Sequence, residues 1–279
     1  MIVSAHGFRI EVDPGLGGCL RRFSRGEVDV FRPMPRASAK ILDAAFFALV
    51  PVCNRIADGR FSFGGHEVRL TPNLLDLPDF FHGDGWRSVW GLLDQDAASV
   101  TLRLERGKGA WPWPYEALLT YRLVETGLRV DLSVTNLAQD AMPAGLGFHP
   151  YFSLTPGLRL KTGYDGYWSR DENGRPDRWH EWHLNRDWIG GNGLEGSATD
   201  HTFTGFSGEA MVSDGARPLY RMTASPEMRD IHVFTPQGAD FYCIEPVSDR
   251  PDPFNEHPLR IRTLQPGESL AAWMAVEVF

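Results

Sequence analysis

The chain reads as a mostly-β protein built from antiparallel hairpins. Glycine-centred turn signals recur at short intervals, with ADG at 57–59, GDG at 83–85, DENG at 171–174 and SDG at 213–215, and 29 Gly and 20 Pro supply the breaks. Between them lie segments that alternate apolar with polar residues or are rich in β-branched ones. That combination marks strands joined by tight turns. A length of 279 residues, 42% hydrophobic and 23% charged, suits one packed domain, because large β-folds of this size form single units. No fixed-period repeat and no Ser-, Gly- or Pro-rich linker divides the chain, so 1–279 is read as a single domain.

Along the chain, ILDAAFFALVPV (41–52) is an apolar run that suits a buried strand followed by a loop at Pro51. ASVTLRLE (98–105) alternates strictly. In ALLTYRLVETGLRVDLSVTNL (117–137), Tyr121 and Leu123, then Leu128, Val130, Leu132 and Val134, fall on repeating faces either side of a Glu-Thr-Gly turn. This is a hairpin with one buried face. GFHPYFSL (147–154) and FYCIEPV (241–247) are further apolar strands, each carrying one ionisable group. The stretch 164–196 is polar, Trp-rich and irregular, and reads as a long loop excursion over a site.

A net charge of −8 offers no basic footprint for nucleic acid or an anionic membrane, and favours a neutral small substrate. Cys19, Cys53 and Cys243 are odd in number, widely spaced and without a C-x-x-C pair, which points to a reducing compartment. The N-terminus lacks the basic and apolar regions of a secretion signal. The longest apolar stretch, AAFFALVPVC, is too short to span a bilayer. A cytoplasmic protein with no nucleic-acid or membrane partner is expected.

Four motifs carry residue types suited to a polar substrate: NRIADGRFSFGG (54–65), FHGDGW (81–86), GFHPYFSL (147–154) and CIEPVSDRPDPFN (243–255); TDHTFTG (199–205) is a weaker fifth. Each has a structural explanation when taken alone. His149 in apolar company suits a satisfied core histidine, Arg55 a cap on turn carbonyls, His82 a turn fixed before Gly-Asp-Gly, and Asp200 with His201 a strand start. Glu245 fits least well, because an ionised carboxylate among Phe241, Tyr242, Cys243 and Ile244 costs several kcal/mol, roughly, unless it is paired. HEWH at 180–183 spaces its histidines three apart rather than four in a turn-like region, so no metal is expected there. Serine-hydrolase, P-loop and dinucleotide fingerprints do not occur. What remains is an imidazole and a carboxylate working without a cofactor.

In their order along the chain, PVCNRIADGRFSFGG, FHGDGW, GFHPYFSL and CIEPVSDRPDPFN resemble the aldose 1-epimerase (galactose mutarotase) family, and the EPVS form is similar to a compact bacterial subgroup of it. The resemblance implies an all-β fold, a large antiparallel β-sandwich of the galactose mutarotase-like type with few short helices and a sugar cleft on one concave face. It implies Glu245 as general base and His149 as general acid. Arg55 and His82 match sugar-binding positions, and Asp200 is similar to an aspartate that holds sugar hydroxyls. Trp86 is read as an aromatic face for sugar C–H groups. Two departures bear on the substrate: Ser153 stands where many members have Asn, and Val247 where many have Gln. The implied partner is a small-molecule sugar, with no cofactor and no metal, and the chain acts as a monomer or homodimer. The competing readings are a non-catalytic carbohydrate-binding or sensing protein, a carbohydrate-cleaving enzyme using Glu245 with Asp200 or Asp249, and a mutarotase for phosphorylated or sulfonated sugars.

Overall fold

Alternating sequence resolves into two antiparallel sheets, one eleven-stranded and one nine-stranded, packed face to face. The computed structural model describes residues 1–74, 77–181, 191–215, 217–256 and 260–279. The hairpin expected at 117–137 forms from the strands Tyr115–Val124 and Gly127–Asn136, with Leu123 opposite Leu128. Its odd-numbered residues Tyr115, Ala117, Leu119, Tyr121 and Leu123 turn inward and are buried. The helices described are three-residue 3₁₀ turns, and among the described residues no helix is long and apolar enough to cross a membrane.

The two sheets meet through large rings. Phe46 of the larger sheet lies edge-on to Tyr121 of the smaller, with ring centroids 5.7 Å apart, and Phe152 stacks on Tyr220 at 4.7 Å. The apolar run at 41–52 forms the expected strand, Phe46–Leu49, and enters it through a 3₁₀ turn, Ile41–Asp43, that the sequence reading did not include.

The central strands of the larger sheet are buried on both faces. In Gly147–Ser153, Phe148 and Phe152 enter the core between the sheets; in Phe241–Val247, Tyr242 and Ile244 do so. The alternate residues Tyr151, Cys243 and Val247 join Phe47, Leu49 and Trp86 in a second cluster on the opposite face. One face holds the fold together, and the other is free to build a cleft.

The stretch 164–196 departs from the expected loop. It contains the paired strands Gly166–Arg170 and Pro176–Glu181, which extend the larger sheet beyond Asp200–Thr204. Their residues are mostly half-buried or exposed, so burial imposes no apolar alternation for a sequence reading to detect.

Candidate active site

Strand register assembles the site. Phe47 sits opposite His149. Gly147 is opposite Val247 and Tyr151 opposite Cys243, a register that sets His149 against Glu245. Glu245 in turn faces His232 of the strand Asp230–Phe234, and His232 faces Thr202 of Asp200–Thr204. Because side chains alternate along each strand, all of these project from the same face.

His149 Nε2 lies 3.4 Å from Glu245 Oε1, and the residues are 7% and 3% exposed. Burial pushes the Glu245 carboxyl well above its ordinary range, and the nearby Asp200 charge adds to the effect. Burial pushes the His149 imidazole well below its own, helped by His82 and His232. Both shifts favour the uncharged form of each group, since burial penalises the carboxylate and the imidazolium alike. Phe47 and Tyr151 hold the imidazole, with ring centroids 4.5 Å and 4.7 Å from it.

His232 anchors the other side. Its Nδ1 is 2.8 Å from the Thr202 hydroxyl and its Nε2 is 3.1 Å from Asp200 Oδ1. Arg170 forms an ion pair with the Asp200 carboxylate and donates to the Asp200 carbonyl at 3.1 Å. Partial desolvation pulls the Asp200 carboxyl up, yet His232 and Arg170 outweigh it and hold the group well below its usual range. The sequence reading passed over both His232 and Arg170. A histidine between Ile231 and Val233 on the strand before the glutamate carried a usable signal, because strand parity puts it opposite the core.

A two-residue strand, Arg55–Ile56, paired with Phe80–Phe81 brings in Arg55, and the turn after that pair brings in His82. Arg55 Nη1 donates to Asp79 Oδ2 at 3.1 Å and to the Asn173 carbonyl at 2.9 Å. Burial, then the Arg170 charge, lower its pKa against the support of Asp79. The second half of the 243–255 motif braces this segment: Asp252 Oδ1 accepts the Ala57 N–H at 3.0 Å, and the Asp252 N–H reaches the Arg55 carbonyl at 2.9 Å. His82 adopts φ 58°, its N–H donating to Asn54 at 2.7 Å, and burial pushes its imidazole down to about 3. Gly83 makes this turn possible, since a Cβ there would stand 2.3 Å from the Val50 carbonyl oxygen. The His82 and His149 rings are 5.7 Å apart.

Trp86 departs from its expected role. It is 1% exposed, its ring packed on Phe47 at 5.6 Å and against His82 at 5.7 Å, and its Nε1 donates to the Gly83 carbonyl at 3.1 Å. The ring buttresses His82 and presents no open face, because filling the space behind the turn consumes its surface. Five of the six sequence-derived residues gather together: His149 lies beside Glu245 and His82, Asp200 reaches the strand neighbouring Glu245 through His232, and the Arg55 charge acts on His82.

Comparison with known proteins bears on the family and the fold. The family profile described as aldose 1-epimerase matches residues 4–277. The chain belongs to the aldose 1-epimerase family. Among relatives of this family member, the uncharacterized Escherichia coli protein YphB is 30% identical over 94% of this chain and 93% of its own. A crystal structure of a candidate aldose 1-epimerase from Escherichia coli K12 superposes with a TM-score of 0.89 at 29% identity, covering 100% of this chain and 98% of that one. A galactose mutarotase-like protein from Clostridium acetobutylicum shares the fold, with a TM-score of 0.84 at 21% identity over 100% and 95% of the two chains.

As for metals, His180 of the HEWH string stacks on Tyr167 at 4.9 Å, while His183 lies outside the described residues. Among the described residues, His149, Cys243 and Glu245 are the donors that come close enough together to share an ion.

Proposed function

We propose that this chain interconverts the α and β anomers of a neutral aldose, with His149 and Glu245 as the acid/base pair. One observation carries the reading: an imidazole nitrogen and a carboxylate oxygen lie 3.4 Å apart on one face of the sheet. The anomeric hydroxyl and the ring oxygen of an aldose are bonded to the same carbon, so the groups that serve them must be neighbours. Glu245 takes the proton of the anomeric hydroxyl while His149 gives one to the ring oxygen. The C1–O5 bond breaks and a free aldehyde forms. Rotation about C1–C2 presents the other carbonyl face, and the reverse transfers close the ring.

The proton count makes physical sense of the burial. Ring opening starts from carboxylate and imidazolium and ends with carboxylic acid and neutral imidazole, so the pair holds one proton throughout. A desolvated site favours the uncharged partition, which is the one that accompanies the open aldehyde. The charged partition from which opening starts is therefore the minor one at rest, and reclosure of the ring restores it. Arg55, His82 and Asp200 hold hydroxyls in this scheme, and His232 and Arg170 fix the Asp200 carboxylate.

Most arginines around the site are neutralised by carboxylates, which favours a neutral sugar over a phosphorylated one; Arg32, over the Tyr151 ring at 4.6 Å, is an exception, with no carboxylate partner among the described residues. Near the cleft, Arg55 pairs with Asp79 at 3.1 Å, Arg175 with Asp58 at 2.7 Å, Arg170 with Asp200 and Arg250 with Glu256. A phosphate or sulfonate needs uncommitted donors. The glycoside-cleaving alternative loses one of its carboxylates, because Asp249 is 0% exposed and bound by Arg229 and Ser248.

Polarimetry on freshly dissolved pure anomers tests the proposal. Accelerated mutarotation of neutral aldoses is expected, with little or none for their 6-phosphates. Saturable sugar binding without acceleration would instead identify a binding protein.

A further inference from the structure

Cys243 stands two residues before Glu245 on the same strand, hence on the same face, and across the ladder from Tyr151. The proton transfers proposed above give this thiol no part. Cys53, another buried thiol, is satisfied by the Ser248 hydroxyl and the Asp249 carbonyl, whereas no hydrogen-bond partner of Cys243 occurs among the described residues. Beside it, His149 Nδ1 is buried with no partner beyond its own backbone. The donor atoms of His149, Cys243 and Glu245 all lie within 4.8 Å of one another, and all three residues are buried.

Those separations are close to what zinc requires. With Zn–N, Zn–O and Zn–S bonds of about 2.0–2.3 Å, the edges of a tetrahedral site span about 3.3–3.6 Å. The His149–Glu245 separation of 3.4 Å is already such an edge. Bringing the sulfur within bonding range asks for a side-chain movement on the order of 1 Å.

Charge also balances. Zn²⁺ with one thiolate, one carboxylate and one neutral imidazole is a neutral assembly, the kind a buried site tolerates. Binding releases the thiol proton, and the Glu245 proton where present, to solvent. A donor set of one sulfur, one nitrogen and one oxygen selects a borderline-soft ion over Mg²⁺ or Ca²⁺, which prefer oxygen.

We propose that His149, Cys243 and Glu245 supply three ligands of a Zn²⁺ site, and that zinc bound there inhibits the enzyme by occupying the acid/base pair. Metal binding stands independently of the proposed function, while the inhibition rests on it.

The decisive experiment titrates metal-free protein with Co²⁺ and follows the thiolate-to-cobalt charge-transfer absorption, then displaces Co²⁺ with Zn²⁺. A band that saturates at one equivalent in the wild type and is missing from Cys243→Ser is expected. In the mutarotation assay, zinc should abolish wild-type activity, a chelator should restore it, and Cys243→Ser should keep its basal rate while needing about 100-fold more zinc for the same inhibition. A wild type that gives no band, or a band that survives Cys243→Ser, overturns the site. Equal zinc sensitivity of the two proteins overturns the inhibition. An enzyme inactive on every aldose would defeat the mutarotase reading and leave the cobalt result to decide the metal site.

Discussion

At the scale of single residues, the His149–Glu245 pair makes the sharpest prediction. A positioned proton transfer is worth about 10²–10⁴ in rate, so Glu245→Gln and His149→Asn should each lower kcat by that order with smaller changes in KM. The pH profile separates the reading from a generic acid/base pair. The pair works while it carries one proton. Acidification adds a second proton at His149, whose imidazole burial holds well below its ordinary range, and alkalisation removes the proton from Glu245, held well above its own. The acid limb of kcat/KM therefore belongs to the histidine and the alkaline limb to the glutamate, the reverse of what free side chains would give. In the residual activity of the variants, His149→Asn leaves only the need for a Glu245 carboxylate and should erase the alkaline limb, while Glu245→Gln leaves only the need for an imidazolium and should erase the acid limb; burial should place the limb surviving in His149→Asn above the ordinary carboxylate range, and a limb within that range would show that burial does not govern the pair. His232 acts one step removed. A hydrogen bond to a charged group is worth about 1.5–3 kcal/mol, so His232→Ala, which frees Asp200, should raise KM about tenfold or more while kcat changes less.

At the scale of elements, the hairpin Gly166–Arg170 to Pro176–Glu181 contacts the site residues around its turn. Arg170 binds Asp200, Arg175 binds Asp58, and the Asn173 carbonyl receives Arg55. Gly174 sits between them at φ 77°, where a Cβ would approach Arg170 Nη2 to 2.4 Å and Arg55 Nη1 to 2.8 Å. Gly174→Ala should thus strain the turn and displace both guanidinium groups, raising KM with little change in thermal midpoint, because the hairpin is largely exposed. Steady-state kinetics beside a melting curve checks this; a large loss of stability with unchanged KM would contradict it. The same hairpin marks where the sequence ran out. Strands such as Tyr115–Val124 announce themselves because one face must be buried and the other need not be, whereas Pro176–Glu181 buries neither face fully and leaves no period to read. The motif loops were legible for a different reason: residues such as Gly83 and Asp252 answer local backbone demands that only a few residue types meet. His232 and Arg170 escaped because their meaning lies in partners about thirty positions away, which only register supplies. Trp86 was misassigned because aromatic identity says nothing of which side of a turn the ring fills.

At the scale of the whole molecule, the central sheet separates stability from chemistry by strand parity. Phe148, Phe152, Tyr242 and Ile244 belong to the core between the sheets, and the residues alternating with them belong to the cleft. Tyr121 tests how complete that separation is. It lies on the smaller sheet, its ring meets Phe46 at 5.7 Å, and its hydroxyl donates to the Gly18 carbonyl at 2.7 Å, tying the two layers together through a fully buried contact. Tyr121→Phe keeps the ring and leaves that carbonyl without its donor, a loss of about 1–3 kcal/mol. For a domain somewhat larger than 250 residues this corresponds to a fall in Tm of a few degrees, on the order of 2–4 °C per kcal/mol or slightly less. Calorimetry should record that fall while kcat/KM stays within about twofold, because no cleft residue touches the altered bond. If kcat/KM declined in proportion to stability instead, the two faces of the sheet would be mechanically coupled. The cleft geometry would then depend on how the layers pack as well as on the register of its own strands.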